Sequence, residues 1–126
     1  MGATAVRIEE APQRGVLIVE LSGEFDVALA ERFRAQIDQR LQRDRHLFCL
    51  VLDMRGVTFL DSTGIGAILG RYRRLAGRGG RLCVAGLRPN VRRLFELAGI
   101  SQVIPAYPDV AAALRDQTPP RPPEAG

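Results

Sequence analysis

The segment Phe59–Leu75 reads FLDSTGIGAILGRYRRL, which places a carboxylate and two hydroxyls, Asp61, Ser62 and Thr63, directly before Gly64 and Gly66. A hydroxyl in that position can act as a helix cap, a nucleophile or a modification switch, and each role needs different company. A nucleophilic serine needs a general base within hydrogen-bond reach and a group that orients the base. The only histidine, His46, opens the apolar run HLFCLVLDM, at the far end of a stretch that leads toward Ser62. The elbow pattern GxSxG is missing, since Leu60 and Asp61 precede Ser62. A phosphate-cradling GxxxxGK[ST] loop is excluded because all 18 basic residues are arginine, and Gly64, Gly66 and Gly70 do not keep the dinucleotide-binding spacing.

Other chemistries find little support. Cys49 and Cys83 lie inside the apolar runs LFCLVL and LCVAGL, where a thiol behaves as a small buried hydrophobe, and neither belongs to a CxxC pair. Two such cysteines form no disulfide framework, so a reducing compartment is expected. Arg71, Arg73, Arg74, Arg78 and Arg81 form a basic stretch in a chain of net charge +4, yet Tyr72 is the sole aromatic among them. That pattern predicts a solvated face rather than a stacking platform for nucleic acid.

The elements that must carry these residues follow from periodicity. At 126 residues, 46% hydrophobic and 25% charged, the chain suits one domain with one core. Ala5–Glu9 and Gly15–Leu21 read as two strands joined by a Pro-Gln-Arg-Gly turn. Val27, Ala30, Phe33, Ile37 and Leu41 recur at helical spacing over 27–43, with Asp26 placed to cap. His46–Met54 is a continuous apolar run, the pattern of a central strand buried on both faces. Ile65, Ile68, Leu69, Tyr72, Leu75 and Ala76 form one face of the next helix, which the glycines of 77–80 end. Leu82–Ala85 is a short strand, and Pro89 opens a helix whose stripe is Val91, Leu94, Phe95 and Ala98. Ile100–Ile104 suggests an edge strand, and 108–115 a last helix with Asp109 in its first turn. DQTPPRPPEAG has little to bury and is expected to be disordered. The sum predicts an α/β sandwich with a mixed sheet of four or five strands.

No signal-peptide pattern opens the chain and no run of 18 apolar residues occurs, so a soluble cytoplasmic protein is expected. Within this frame an Asp or Ser before a helix is most often only its N-cap. The glycines remain: each costs up to about 1 kcal/mol relative to alanine inside a helix. Gly64 and Gly66 either bare the surface around the hydroxyl for another backbone, or permit close packing of helix on sheet.

The motifs SGEFD (22–26), LDSTGIGAILGRYRRL (60–75), Gly79-Gly80 and RPNVRRLFELAGI (88–100) resemble, in order and spacing, the STAS domains, and among them the stage II sporulation anti-sigma F factor antagonists. The resemblance runs over residues 4–115, which implies a STAS-type sandwich with about four helices over 4–116 and a proline-rich tail over 117–126. It implies a regulator without enzymatic activity or cofactor of its own. Unphosphorylated, such a protein binds an anti-sigma factor that is also a serine kinase, and so frees a sigma factor of the F type. The kinase brings ATP or ADP and magnesium, Ser62 takes the phosphate, and a PP2C-type phosphatase removes it.

By the same match Asp26 lies at the partner-binding surface, to which Asp61, Ser62, Thr63, Gly64 and Gly66 are assigned with it; no direct nucleic-acid or membrane contact is expected, and, with no exposed apolar helix or heptad in the pattern, a monomeric free state. Thr63 stands where the family pattern has a second serine, and Arg88 where it has a small polar cap. The alternatives are an antagonist serving another sigma factor, such as one for general stress, or a small Ser-dependent or nucleotide-binding enzyme. Physically, phosphorylation adds about 1.5–2 negative charges. A helix N-terminus favours an anion by roughly 0.3–1 kcal/mol, so the fold should survive while a partner meets a dianion beside Asp61. On this reading Ile65, Ile68, Leu69 and Tyr72 hold the helix down, Asp61, Ser62, Gly64 and Gly66 stay open, and unmodified Ser62 also caps.

Overall fold

The computed structural model describes residues 4–117. Strands β1 (Ala5–Glu10) and β2 (Val16–Phe25) lead into helix α1 (Val27–Arg43), then β3 (Cys49–Leu60), α2 (Ser62–Ala76), β4 (Arg81–Ala85) and α3 (Pro89–Leu97). A 3-10 turn over Ile100–Gln102, β5 (Ala106–Tyr107) and α4 (Val110–Arg115) complete the described residues. The five strands lie in sequence order, β1 antiparallel to β2 and every later pair parallel. Strand alternation sends Leu50, Leu52, Leu82 and Val84 to one face, where they meet Phe33 and Ile37 of α1, Ile68 and Leu75 of α2, and Phe95 of α3. Cys49, Val51, Cys83 and Ala85 point to the other face, which α4 covers through Ala113. The mixed five-stranded sheet with four helices is the predicted class.

Several boundaries differ from expectation. β2 and β3 run on to Phe25 and Leu60, past the end of β4, because two irregularities in their pairing, at Glu20/Ser22 and Gly23/Glu24, break the apolar alternation that marks the strand. Ile100–Ile104 is not a strand: the edge position is taken by Ala106–Tyr107, held by backbone hydrogen bonds from Val84 to Pro105 and from Gly86 to Tyr107. Asp109 is the N-cap of α4, accepting from the Ala112 amide, rather than a first-turn residue. Val27 is half-exposed, with Leu29 taking its place in the core.

Gln117, assigned to the tail by composition, is buried under the sheet. Its amide accepts from the Cys49 thiol, donates to the Ala113 carbonyl and lies within reach of the Cys83 sulfur. Both cysteines are free and buried, and the Cys83 thiol is pushed up by its hydrogen bond to Cys49 and by burial. The expectation for the rest of the tail falls on residues 118–126, outside the described ones.

Candidate functional site

Because β2 and β3 are parallel neighbours with Phe25 opposite Leu60, the two helices that follow start side by side. The Asp61 amide donates to the Phe25 carbonyl at 3.5 Å, so Asp26 and Asp61 stand next to one another at the carboxyl end of the sheet. Each is an N-cap with extended backbone. Asp26 Oδ1 accepts from the Leu29 amide at 3.1 Å. Asp61 Oδ1 accepts from the amides of Thr63 and Gly64, each at 3.0 Å, and from the Thr63 hydroxyl. These donors favour the charged form: the Thr63 hydroxyl first, then the Gly64 amide, hold the Asp61 carboxyl below the usual carboxylate range.

Ser62 is the first residue of α2, not its cap. That corrects the expectation of a double role and frees its hydroxyl, which is exposed and takes no part in the capping contacts. The helix amides offered to Asp61 are likewise no longer available to a phosphate on Ser62.

The two glycines separate cleanly. Gly64 is buried, and a Cβ there would lie 2.6 Å from Leu60 Cδ1, 2.7 Å from Phe25 Cδ1 and 2.7 Å from the Phe25 carbonyl. It is the point where α2 rests on β2, which overturns its assignment to the open surface. Gly66 is exposed, and a methyl group added there would find nothing within 4 Å. Ile65, Leu69 and Tyr72 pack partly against the core, as expected. Ala76 is exposed, and Arg71, expected on a solvated face, is buried instead. Its Nε lies 3.0 Å from Asp38 Oδ1 of α1, and Arg74 Nη1 reaches the same oxygen at 2.6 Å. Burial lowers the Arg71 pKa, against the pull of Asp38.

Two apolar side chains are exposed at this end, one of them, Val27, expected in the buried stripe of α1. Phe59 is 48% exposed and Val27 is 52% exposed, on either side of the paired caps. Arg88 makes no side-chain cap for α3; its Nε donates to the Arg55 carbonyl at 2.9 Å. Asn90 donates to the Thr58 carbonyl at 3.0 Å, so α3 guards the edge of β3 that extends beyond β4.

His46 precedes β3 and Ser62 follows it, so a strand of 12 residues lies between them. At about 3.3 Å per residue that is a separation above roughly 30 Å, and no imidazole base reaches Ser62. His46 instead borders a polar cavity of about 270 Å³ at the other end of the sheet, with Glu10, Gln13, Arg14 and Asp44. Among the described residues no group of three His, Cys, Asp or Glu side chains is placed to hold a metal ion, and no helix is long and apolar enough to cross a membrane.

A five-stranded sheet that opens on an antiparallel hairpin, with an Asp-capped serine at the β3–α2 junction, defines a class, and residues 7–113 match the model of the STAS domain. The chain belongs to the family of STAS-domain anti-sigma factor antagonists. It is 39% identical over 111 residues to the anti-sigma F factor antagonist of Paenibacillus polymyxa, covering 88% of this chain and 94% of that one. It is 30% identical over 87 residues to the anti-sigma-B factor antagonist of Bacillus subtilis, covering 68% and 76%. In structure it is similar to the unphosphorylated anti-sigma factor antagonist SpoIIAA, with a TM-score of 0.76 and 27% identity over 88% of this chain and 95% of the other. The phosphorylated form of the Bacillus cell fate determinant SpoIIAA aligns with a TM-score of 0.71 and 26% identity, over 90% and 100%.

Proposed function

We propose that this protein is an anti-anti-sigma factor whose unmodified form captures an anti-sigma factor and releases a sigma factor, and that phosphorylation of Ser62 switches it off. The observation that carries the reading is the exposed, unengaged Ser62 hydroxyl at the first position of α2, directly after the capping carboxylate Asp61 and at the same end of the sheet as the cap Asp26. The anti-sigma factor is itself the kinase: the Ser62 oxygen attacks the γ-phosphorus of ATP, ADP leaves, and the hydroxyl proton goes to a base of the kinase. A PP2C-type phosphatase reverses the step in the same cytoplasmic compartment. Asp26, Asp61, Ser62, Thr63 and Gly66 face the partner, while Gly64 sets their height above the sheet. The greater identity and coverage with the relative named for sigma F than with the one named for sigma B favours a sporulation sigma factor.

Incubation with the host's anti-sigma kinase and ATP, followed by mass spectrometry, tests the assignment. Wild-type protein should gain one phosphate on Ser62 and Ser62→Ala none; full incorporation into Ser62→Ala would sink it. In a binding titration Ser62→Asp should lose affinity for the anti-sigma factor, with its melting temperature within a few degrees of wild type.

A further inference from the structure

A standard protein interface covers about 800 Å² on each partner, a disc of roughly 16 Å radius. A partner that brings Ser62 to the centre of its contact therefore has the reach to include an exposed residue well inside that distance. Phe59 is three residues away, at most about 11 Å along the chain. In register it stands opposite Glu24, and both side chains are exposed. Leu60 is buried among residues of the core shared with α1 and α2, so strand alternation turns Phe59 to the opposite face. There the β2–β3 extension runs past the end of β4 at Ala85. A half-exposed phenylalanine flanked by carboxylates, Glu24, Asp26 and Asp61, contrasts with a chain whose net charge is +4.

We infer that Phe59 is the affinity anchor for the anti-sigma factor, seated in an apolar socket of that partner and flanked there by basic side chains that meet Glu24 and Asp26. This rests on the function proposed above and divides the site: Phe59 supplies binding in the unphosphorylated complex, and Ser62 supplies control. Large aromatic residues are enriched among the few positions that dominate interface energetics, and truncating such a residue commonly costs about thirtyfold or more in affinity. The comparison residue is Leu97, which is 79% exposed but lies at the far end of α3. That helix runs back along the sheet between the parallel strands β4 and β5.

The test measures, by titration calorimetry, the affinity of unphosphorylated Phe59→Ala, Phe59→Leu and Leu97→Ala for the host's anti-sigma factor, with thermal melts and sedimentation of each free protein. Expected are a loss of about thirtyfold or more for Phe59→Ala, partial recovery in Phe59→Leu, wild-type affinity in Leu97→Ala, and unchanged melting and sedimentation throughout. Wild-type affinity in Phe59→Ala, with binding still abolished in Ser62→Asp, overturns the anchor and leaves the proposed function standing. A wild-type protein that does not bind the anti-sigma factor removes the proposed function and the anchor with it. A wild-type dimer that Phe59→Ala dissociates makes a second copy of the chain the occupant, and also overturns the inference.

Discussion

At the scale of single residues, two glycines that look alike in the sequence do opposite things. An alanine at position 64 would drive its methyl group to 2.7 Å from the Phe25 carbonyl, a backbone atom that cannot swing aside. Gly64→Ala should therefore cost about 1–3 kcal/mol, seen as a melting temperature several degrees lower. Gly66→Ala meets nothing within 4 Å and should gain up to about 1 kcal/mol from helix propensity. If Gly64→Ala melts at or above wild type, the packing account of Gly64 is wrong. Asp61 carries a second residue-level prediction. Its folded-state pKa is depressed by the Thr63 hydroxyl and the Gly64 amide, so its contribution is complete above the unfolded value near about 3.9. It disappears as pH falls through the lower folded value. The gap in melting temperature between wild type and Asp61→Ala should stay flat from pH 8 to about pH 5 and close only below about pH 4. A gap that already narrows between pH 7 and 6 would mean that another group controls the cap.

At the scale of elements, α1 and α2 are joined by an ion pair that their patterns do not announce. Arg71 is 8% exposed and meets Asp38 across the helix seam. Removing the carboxylate leaves a buried guanidinium without its counter-charge, a situation that costs about 3–5 kcal/mol when fully buried. Because the Asp38 side chain is 37% exposed, solvent screening cuts the expected cost of Asp38→Asn to about 1–3 kcal/mol. Arg71→Met, which deletes the buried charge and keeps an apolar stem, should stay within about 1 kcal/mol of wild type. Denaturant unfolding of both variants decides, and equal losses would count against a desolvation effect. The spacing Ile68, Arg71, Leu75 is legible as a helical stripe, yet an arginine at its centre reads, by type alone, as solvated.

The same tension explains the other differences between pattern and fold. α1 and the apolar core of β3 are readable because periodicity and burial agree there. The extension of β3 through RGVTFL is not, since its pairing irregularities scramble the alternation and α1 and α2 cover only one face. The two-residue β5 is defined by backbone hydrogen bonds alone, which leave no trace in side-chain type. At the site, the Asp-Ser-Thr-Gly motif is legible, but which residue caps and which glycine packs depends on Phe25, remote in sequence and adjacent in space.

At the scale of the whole molecule, the paired caps, the proposed phosphate acceptor and the half-exposed Phe59 gather at the carboxyl ends of β2 and β3. The latch of Gln117 on Cys49 and Cys83 sits on the other face, at the start of β3. Nothing that anchors the chain's last described residues touches the proposed switch, so modification at one end leaves the fastening at the other alone. The capping geometry also governs behaviour in time. Since Asp61 already occupies the amides of Thr63 and Gly64, the phosphoryl group proposed for Ser62 would find those two donors taken. Under the proposed function, the phosphoryl dianion beside Asp61 is then held by no pairing with those amides, and the fold does not trap the modified form. Under that function such a protein keeps no memory of its past: its unphosphorylated, active fraction follows the current phosphatase rate divided by the sum of the phosphatase and kinase rates. On that reading, hysteresis in the circuit would reside in its partners.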